Sequence, residues 1–120
     1  MHELSIATEI IDIVEKEAAR LHLNRIGEIS LKIGALTGVN PDALLFALEA
    51  STIGTPLEKA RVNIETVPIR GSCRSCGREF VLDEYVFICS HCGSGDLHVT
   101  SGEELDIVSI SERQPRNSPQ

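Results

Sequence analysis

No apolar run in this 120-residue chain approaches the 18 or so residues needed to cross a bilayer, which excludes a membrane-spanning helix. Positive charge is scarce as well. Eleven Lys and Arg stand against 18 Asp and Glu, a formal charge of −7, so the phosphate-neutralising surface that non-specific nucleic-acid binding requires is missing. The opening residues Met1-His2-Glu3-Leu4-Ser5 lack the basic, apolar and small-residue segments of a secretory signal, and a cytoplasmic protein is expected. No residue set combines nucleophile, base and orienting group, since the four His are scattered and the four Cys fall in a metal-type pattern. An enzyme is therefore not expected. With 42% apolar residues the chain suffices for one globular domain plus a small appendage, burying roughly two thirds of its unfolded surface.

Leu4, Ala7, Ile11, Val14, Ala18 and Leu21 recur at steps of three and four, the stripe of an amphipathic helix. From Ile26 the period changes to two. Ile29, Leu31 and Ile33 alternate with Glu28, Ser30 and Lys32, as in a half-buried strand, and Gly34 to Gly38 reads as a loop. Asn40 and Pro41 supply an N-cap and a first-turn proline for a second helix with Leu44, Leu45 and Leu48 on its inner face, ending near Gly54. Ala60, Val62 and Ile64 begin a second strand that runs to about Ile69, with a bulge at Thr66-Val67 and with Pro68 at an edge or strand end. Leu105 to Ser111 reads as a third strand. The expected fold class is α+β: a small three-stranded sheet covered by two helices, interrupted by a four-cysteine insert.

That insert carries Cys73-x-x-Cys76 and Cys89-x-x-Cys92. A two-residue spacer lets both sulfurs of a pair converge on one tetrahedral ion, and in a reducing compartment this spacing indicates a metal rather than disulfides. Gly77 and Gly93 follow each pair, where a tight turn can aim backbone N–H groups at sulfur. Phe80 and Leu82, then Tyr85 and Phe87, alternate on either side of Asp83-Glu84, which suggests a two-stranded zinc ribbon. Four thiolates leave no open position, so the zinc is structural. The ligand set is one that iron shares, but nothing else in the chain indicates electron transfer. Three Arg between residues 70 and 98 face Glu79, Asp83, Glu84 and Asp96, which argues against a nucleic-acid ribbon. His91 and His98 read as exposed imidazoles beside a closed site.

The first three residues offer a different chemistry. The Met1 amine, the His2 amide and the His2 imidazole lie along one short piece of backbone and can close adjacent chelate rings on one ion. Nitrogen-rich tetragonal ligation suits Ni²⁺ or Cu²⁺ better than zinc, and Glu3 can add oxygen. Simple capping of the helix start by Glu3 and Ser5 is the structural alternative.

An initial Met-His-Glu, an amphipathic first helix, a strand ending in Ile33-Gly34, a second helix led by Val39-Asn40-Pro41, and CxxC-x12-CxxC before a last strand together resemble the HypA/HybF family of hydrogenase nickel-incorporation proteins, over about residues 1 to 111. The resemblance implies a nickel metallochaperone with a structural zinc, working beside the GTPase HypB and delivering Ni²⁺ to the hydrogenase large subunit. It makes His2 the essential nickel ligand and Glu3 a supporting one, the Met1 amine a further candidate, and Cys73, Cys76, Cys89 and Cys92 the zinc ligands. Asn40 falls where some relatives place an acidic residue near the nickel, and joins the candidate set on that ground. Urease maturation proteins as further partners and a homodimer are compatible with it; nucleic acid and membrane are not expected. The competing reading is a zinc-ribbon adaptor, for protein or nucleic acid, in which Met1-His2-Glu3 only starts a helix. Residues 1–70 with 100–111 are expected to form the nickel-binding α/β domain, 71–99 the zinc ribbon and 112–120 a flexible tail.

Overall fold

The computed structural model describes residues 3–83 and 86–113, so Met1, His2, Glu84, Tyr85 and residues 114–120, which include most of the expected tail, lie outside the described residues. In chain order the elements are α1 (Glu3–Arg20), β1 (Ile26–Gly34), a 3-10 turn (Ala35–Thr37), α2 (Pro41–Ser51), β2 (Arg61–Val67), β3 (Ile69–Cys73), β4 (Glu79–Leu82), β5 (Leu97–Ser101) and β6 (Leu105–Glu112). This is the α+β class expected, with two helices, a mixed sheet in the order β2-β1-β6 and a separate sheet in the order β4-β3-β5. The chain divides into two compact units, Met1–Leu31 with Val39–Ile64 and Ile107–Gln120, and Lys32–Gly38 with Glu65–Asp106.

In the first unit α1 buries Ile6, Ala7, Ile10, Ile11, Val14 and Ala18. The stripe expected from Leu4 to Leu21 is corrected at both ends: Leu4 is 61% exposed and Leu21 also faces solvent. Ile6 and Ile10, each one residue before Ala7 and Ile11, widen the buried face instead of lengthening it. The helix closes in a Schellman motif, with Leu23 N–H donating to Ala18 O at 2.8 Å and His22 N–H to Ala19 O at 3.2 Å. His22 takes the left-handed position at φ +61°, where glycine is usual, which hides this stop from a reading of residue types.

Asn40 caps α2 as expected, its Oδ1 accepting the Ala43 N–H at 3.1 Å, with Pro41 in the first turn. The inner face of α2 is Leu44, Ala47 and Leu48, with Leu45 only half-buried. Leu44 and Leu45 lie 100° apart around the helix, so a small residue at position 47 completes the narrow face more closely than Leu45 does. Beneath the helices Ile26 and Ile29 of β1 are fully buried. At one end of the β1–β6 ladder Arg113 N–H donates to Arg25 O, at the other Gly34 N–H donates to Glu104 O, so the two strands are antiparallel.

The strand expected from Ala60 to Ile69 is two strands in two sheets, and the break is at Pro68 rather than a bulge at Thr66-Val67. Pro68 has no N–H to donate and ends one ladder; its carbonyl accepts from Ser101 Oγ at 2.8 Å. A register irregularity does occur, between Arg70 and Gly71. The ribbon also differs from expectation. β3 is its central strand, pairing antiparallel with β4 through Ile69↔Leu82 and with β5 through Gly71↔Val99. Phe87 belongs to no strand, and Asp83 and Val86 form an isolated bridge across the turn where the second strand was expected. The cysteine turn itself serves as the β3–β4 hairpin, which is why pairing begins before residue 71.

Gly34 shows how tightly the second unit is closed. A Cβ there would lie 2.1 Å from Gly102 O, while Leu36 N–H already donates to that carbonyl at 2.8 Å. Gly38, at φ +75°, has nothing within 4 Å of its Cβ position. Gly34→Ala is therefore expected to cost more than about 2 kcal/mol, because backbone must move, and Gly38→Ala only about 1 kcal/mol of conformational strain. Urea unfolding at saturating zinc checks the order, and a smaller loss at Gly34 than at Gly38 contradicts it.

Candidate metal centre

Cys73 ends β3, and the chain turns back so that Cys73 N–H donates to Arg78 O at 2.8 Å and Gly77 N–H to Cys73 O at 2.8 Å. The second pair repeats this. Cys89 N–H donates to Ser94 O at 2.8 Å and Gly93 N–H to Cys89 O at 2.9 Å. Gly77 and Gly93 sit at φ +81° and +77°, a backbone that side-chain-bearing residues adopt only with strain, so both glycines are required by the turn. Two equivalent turns thus face each other. Ser75 Oγ and Ser94 Oγ, 3.0 Å apart, bridge them, a contact that no motif signals in advance.

All four Sγ atoms lie within 4.8 Å of one another. Cys73 and Cys92 sulfurs are 3.5 Å apart and Cys76 and Cys89 sulfurs 3.7 Å, well beyond the roughly 2.0 Å of a disulfide. A zinc tetrahedron with metal–sulfur distances of about 2.3 Å has edges of about 3.8 Å. The cluster fits that ion. Cys73 Sγ accepts the Cys76 N–H, and Cys89 Sγ accepts those of His91 and Cys92, each at 3.4 Å. Such N–H donors stabilise negative charge on sulfur.

These bonds split the four thiols. The Cys92 N–H, followed by that of His91 against an opposing effect of burial, pulls Cys89 down to about 6. Cys73 is lowered, chiefly by the Cys76 N–H. At Cys92 the Ser94 N–H favours the thiolate, yet the Cys73 sulfur, burial and the other two sulfurs push the thiol up to about 11. Cys76 is raised by burial and the Cys89 and Cys73 sulfurs, against the Arg78 N–H. At neutral pH Cys89 is therefore a thiolate ready for a cation, and a metal must displace a proton from Cys92 to complete the set.

Around this centre His91 and His98 are exposed and turned to guanidinium groups. His91 Nδ1 lies 2.8 Å from Arg78 Nη1, and His98 Nδ1 lies 3.5 Å from Arg74 Nη2. Arg74 also pairs with Asp96 at 3.3 Å. Arginine carries only donors, so each imidazole nitrogen accepts there.

Of the amino-terminal candidates, Met1 and His2 lie outside the described residues. Glu3 opens α1, and its Oε2 accepts the backbone N–H of Asn40 at 3.1 Å. Two residues 37 positions apart in sequence, both singled out as candidate nickel residues, are in contact.

A profile of the family described as "Hydrogenase/urease nickel incorporation, metallochaperone, hypA" matches residues 1–111. A hydrogenase maturation factor HypA of Geobacter metallireducens is 47% identical over 110 residues, covering 92% of this chain and 97% of that protein. One from Chlorobium luteolum is 43% identical, covering 92% and 94%. The solution structure of the Ni metallochaperone HypA from Helicobacter pylori, 21% identical, shares the fold with a TM-score of 0.65 over 93% of this chain and 97% of that one. The family match spans both helices, both sheets and all four cysteines, and the chain belongs to the HypA family of hydrogenase/urease nickel-incorporation metallochaperones.

Proposed function

We propose that this chain carries Ni²⁺ at its amino terminus for delivery during [NiFe]-hydrogenase maturation, and that Cys73, Cys76, Cys89 and Cys92 hold a structural Zn²⁺. His2 is the essential nickel ligand through its imidazole and amide nitrogens, Glu3 a supporting ligand, and the Met1 amine a further nitrogen. The contact between Glu3 and Asn40 carries this reading, because it anchors the start of α1 against the start of α2 immediately after the chelating residues. Asn40 already spends its side-chain oxygen on the Ala43 N–H, so its part in the nickel site is to hold Glu3 through its backbone. Capture by an accessible site and release by ligand exchange suit a carrier. In this reading the protein is cytoplasmic, and its partners are the HypB GTPase and the hydrogenase large subunit, with urease maturation proteins as further clients and self-association as a second mode. Nucleic acid and membrane play no part. The net charge of −7 favours partner surfaces rich in Lys and Arg.

A free amine at Met1 is part of the proposed site. Extending the chain by two residues ahead of Met1 is expected to abolish specific Ni²⁺ binding in calorimetric titration while zinc content and far-UV circular dichroism stay the same. Unchanged nickel affinity in the extended protein rules out the terminal site.

A further inference from the structure

The outward face of α2 is not a polar face. Its buried residues, Leu44, Ala47 and Leu48, occupy one side, and on the other Ala43, Phe46, Ala50 and then Ile53 in the following turn are all exposed. Phe46 is 73% and Ile53 70% exposed, the largest values among the exposed large apolar side chains. Isolated apolar side chains on a surface need no explanation. These four are not isolated in pattern: they follow one another at steps of three, four and three, the a and d positions of a heptad seam. Thr52 keeps the helical bond, its N–H donating to Leu48 O at 3.0 Å, so the seam continues past Ser51.

In the same heptad frame Asp42 and Glu49 both fall at position g, the flank that selects a partner helix by charge. α2 carries no cation. Ile53 and Glu49 also border a cleft of about 370 Å³ lined by Leu48, Leu57 and Val62, with Glu58 at its rim, room for one large apolar side chain. Lys59 is the single base there.

From this pattern we propose that the outer face of α2 docks a helix of another protein, apolar at its own a and d positions and bearing Lys or Arg at e and g. Charge decides against a second copy as the occupant. In an antiparallel pair of α2 helices Asp42 and Glu49 of one copy would face those of the other, and in a parallel pair the g acids would face Ala47 and Gly54, which offer no cation. A cationic helix satisfies both acids and covers Phe46 and Ile53. Phe46, aromatic and central in the seam, is the anchor. The surface lies on α2 and does not involve His2 or the cysteines, so this proposal stands or falls independently of the metal assignments.

The test uses the full-length, zinc-loaded protein and a fluorescein-labelled synthetic peptide of about three heptads, with Leu at a and d, Lys at e and g, and Ala elsewhere. Saturable anisotropy is expected for this peptide, but not for its Glu-flanked counterpart or for a scrambled peptide of equal charge. Phe46→Ala is expected to weaken binding about tenfold or more. D42K/E49K should transfer preference to the Glu-flanked peptide. All four side chains changed or probed are exposed, and circular dichroism and zinc content verify that each variant is folded. Equal binding of the scrambled peptide, indifference to Phe46→Ala, or a dimer in sedimentation analysis that Phe46→Ala dissolves would each overturn the proposal.

Discussion

Cys73→Ala is expected to strip zinc from the protein and melt the β4-β3-β5 sheet, while the α1–α2 unit keeps its helical signal. The second unit has little else to hold it: between residues 69 and 106 the buried large side chains are Ile69 and Leu82, joined by the sulfurs of Cys73 and Cys89. Structural zinc in small peptides supplies on the order of 10–16 kcal/mol, far more than two buried aliphatic side chains at about 1.5–3 kcal/mol each. Cys73 also stands at the end of the central strand, with its sulfur accepting the Cys76 N–H and its N–H donating to Arg78 O. Removing the sulfur leaves three ligands and loses the charge that the Cys76 N–H faced. Elemental analysis should fall from one zinc per chain to a small fraction of one, and hydrogen exchange of β3 amides should accelerate by orders of magnitude. Chelation of the unmutated protein should reproduce both changes. Full zinc content in Cys73→Ala would refute the four-cysteine assignment.

The other large effect concerns nickel and pH. His2→Ala should lose Ni²⁺ and keep Zn²⁺, because an imidazole is the one strong side-chain donor among the first three residues. The sign of the pH dependence follows from the ligands: each must lose a proton before it can bind, so acid favours the empty site. With ordinary values near 6.5 for imidazole and about 7.7–8.0 for an α-amine, protons compete with nickel across the neutral range. Each displaced proton weakens binding by up to about tenfold per pH unit below the relevant pKa, so two or three such ligands make affinity fall steeply between about pH 7.5 and 6. Zinc should outlast nickel on acidification, since four thiolates in a closed site bind it far more tightly. A titration following both metals decides the matter. Nickel bound at about pH 6 with undiminished affinity means that the amine and His2 are not its ligands.

What the sequence by itself determined are the features that depend on neighbouring residues. The CxxC spacing and the glycine after each pair define a turn that needs no distant contact, and its two copies have the geometry that a tetrahedral metal requires. Asn40-Pro41 starts α2 by the same local logic, and the 3-4 and alternating periods identified both helices and the core of β1. The tertiary structure alone decided how far each pattern extends and with what it pairs. Val67-Pro68-Ile69 reads as one strand because both sides are β-branched, yet the missing N–H of Pro68 separates two sheets, and a ladder's partner lies tens of residues away. Leu4 and Leu21 have the period of a buried face but lie at the ends of α1, where no neighbour remains to cover them. The contact of Glu3 with Asn40 and the exposure of Phe46 belong to the same class. Periodicity identifies the faces of a helix, and only packing determines which of them meets the core and which remains for a partner.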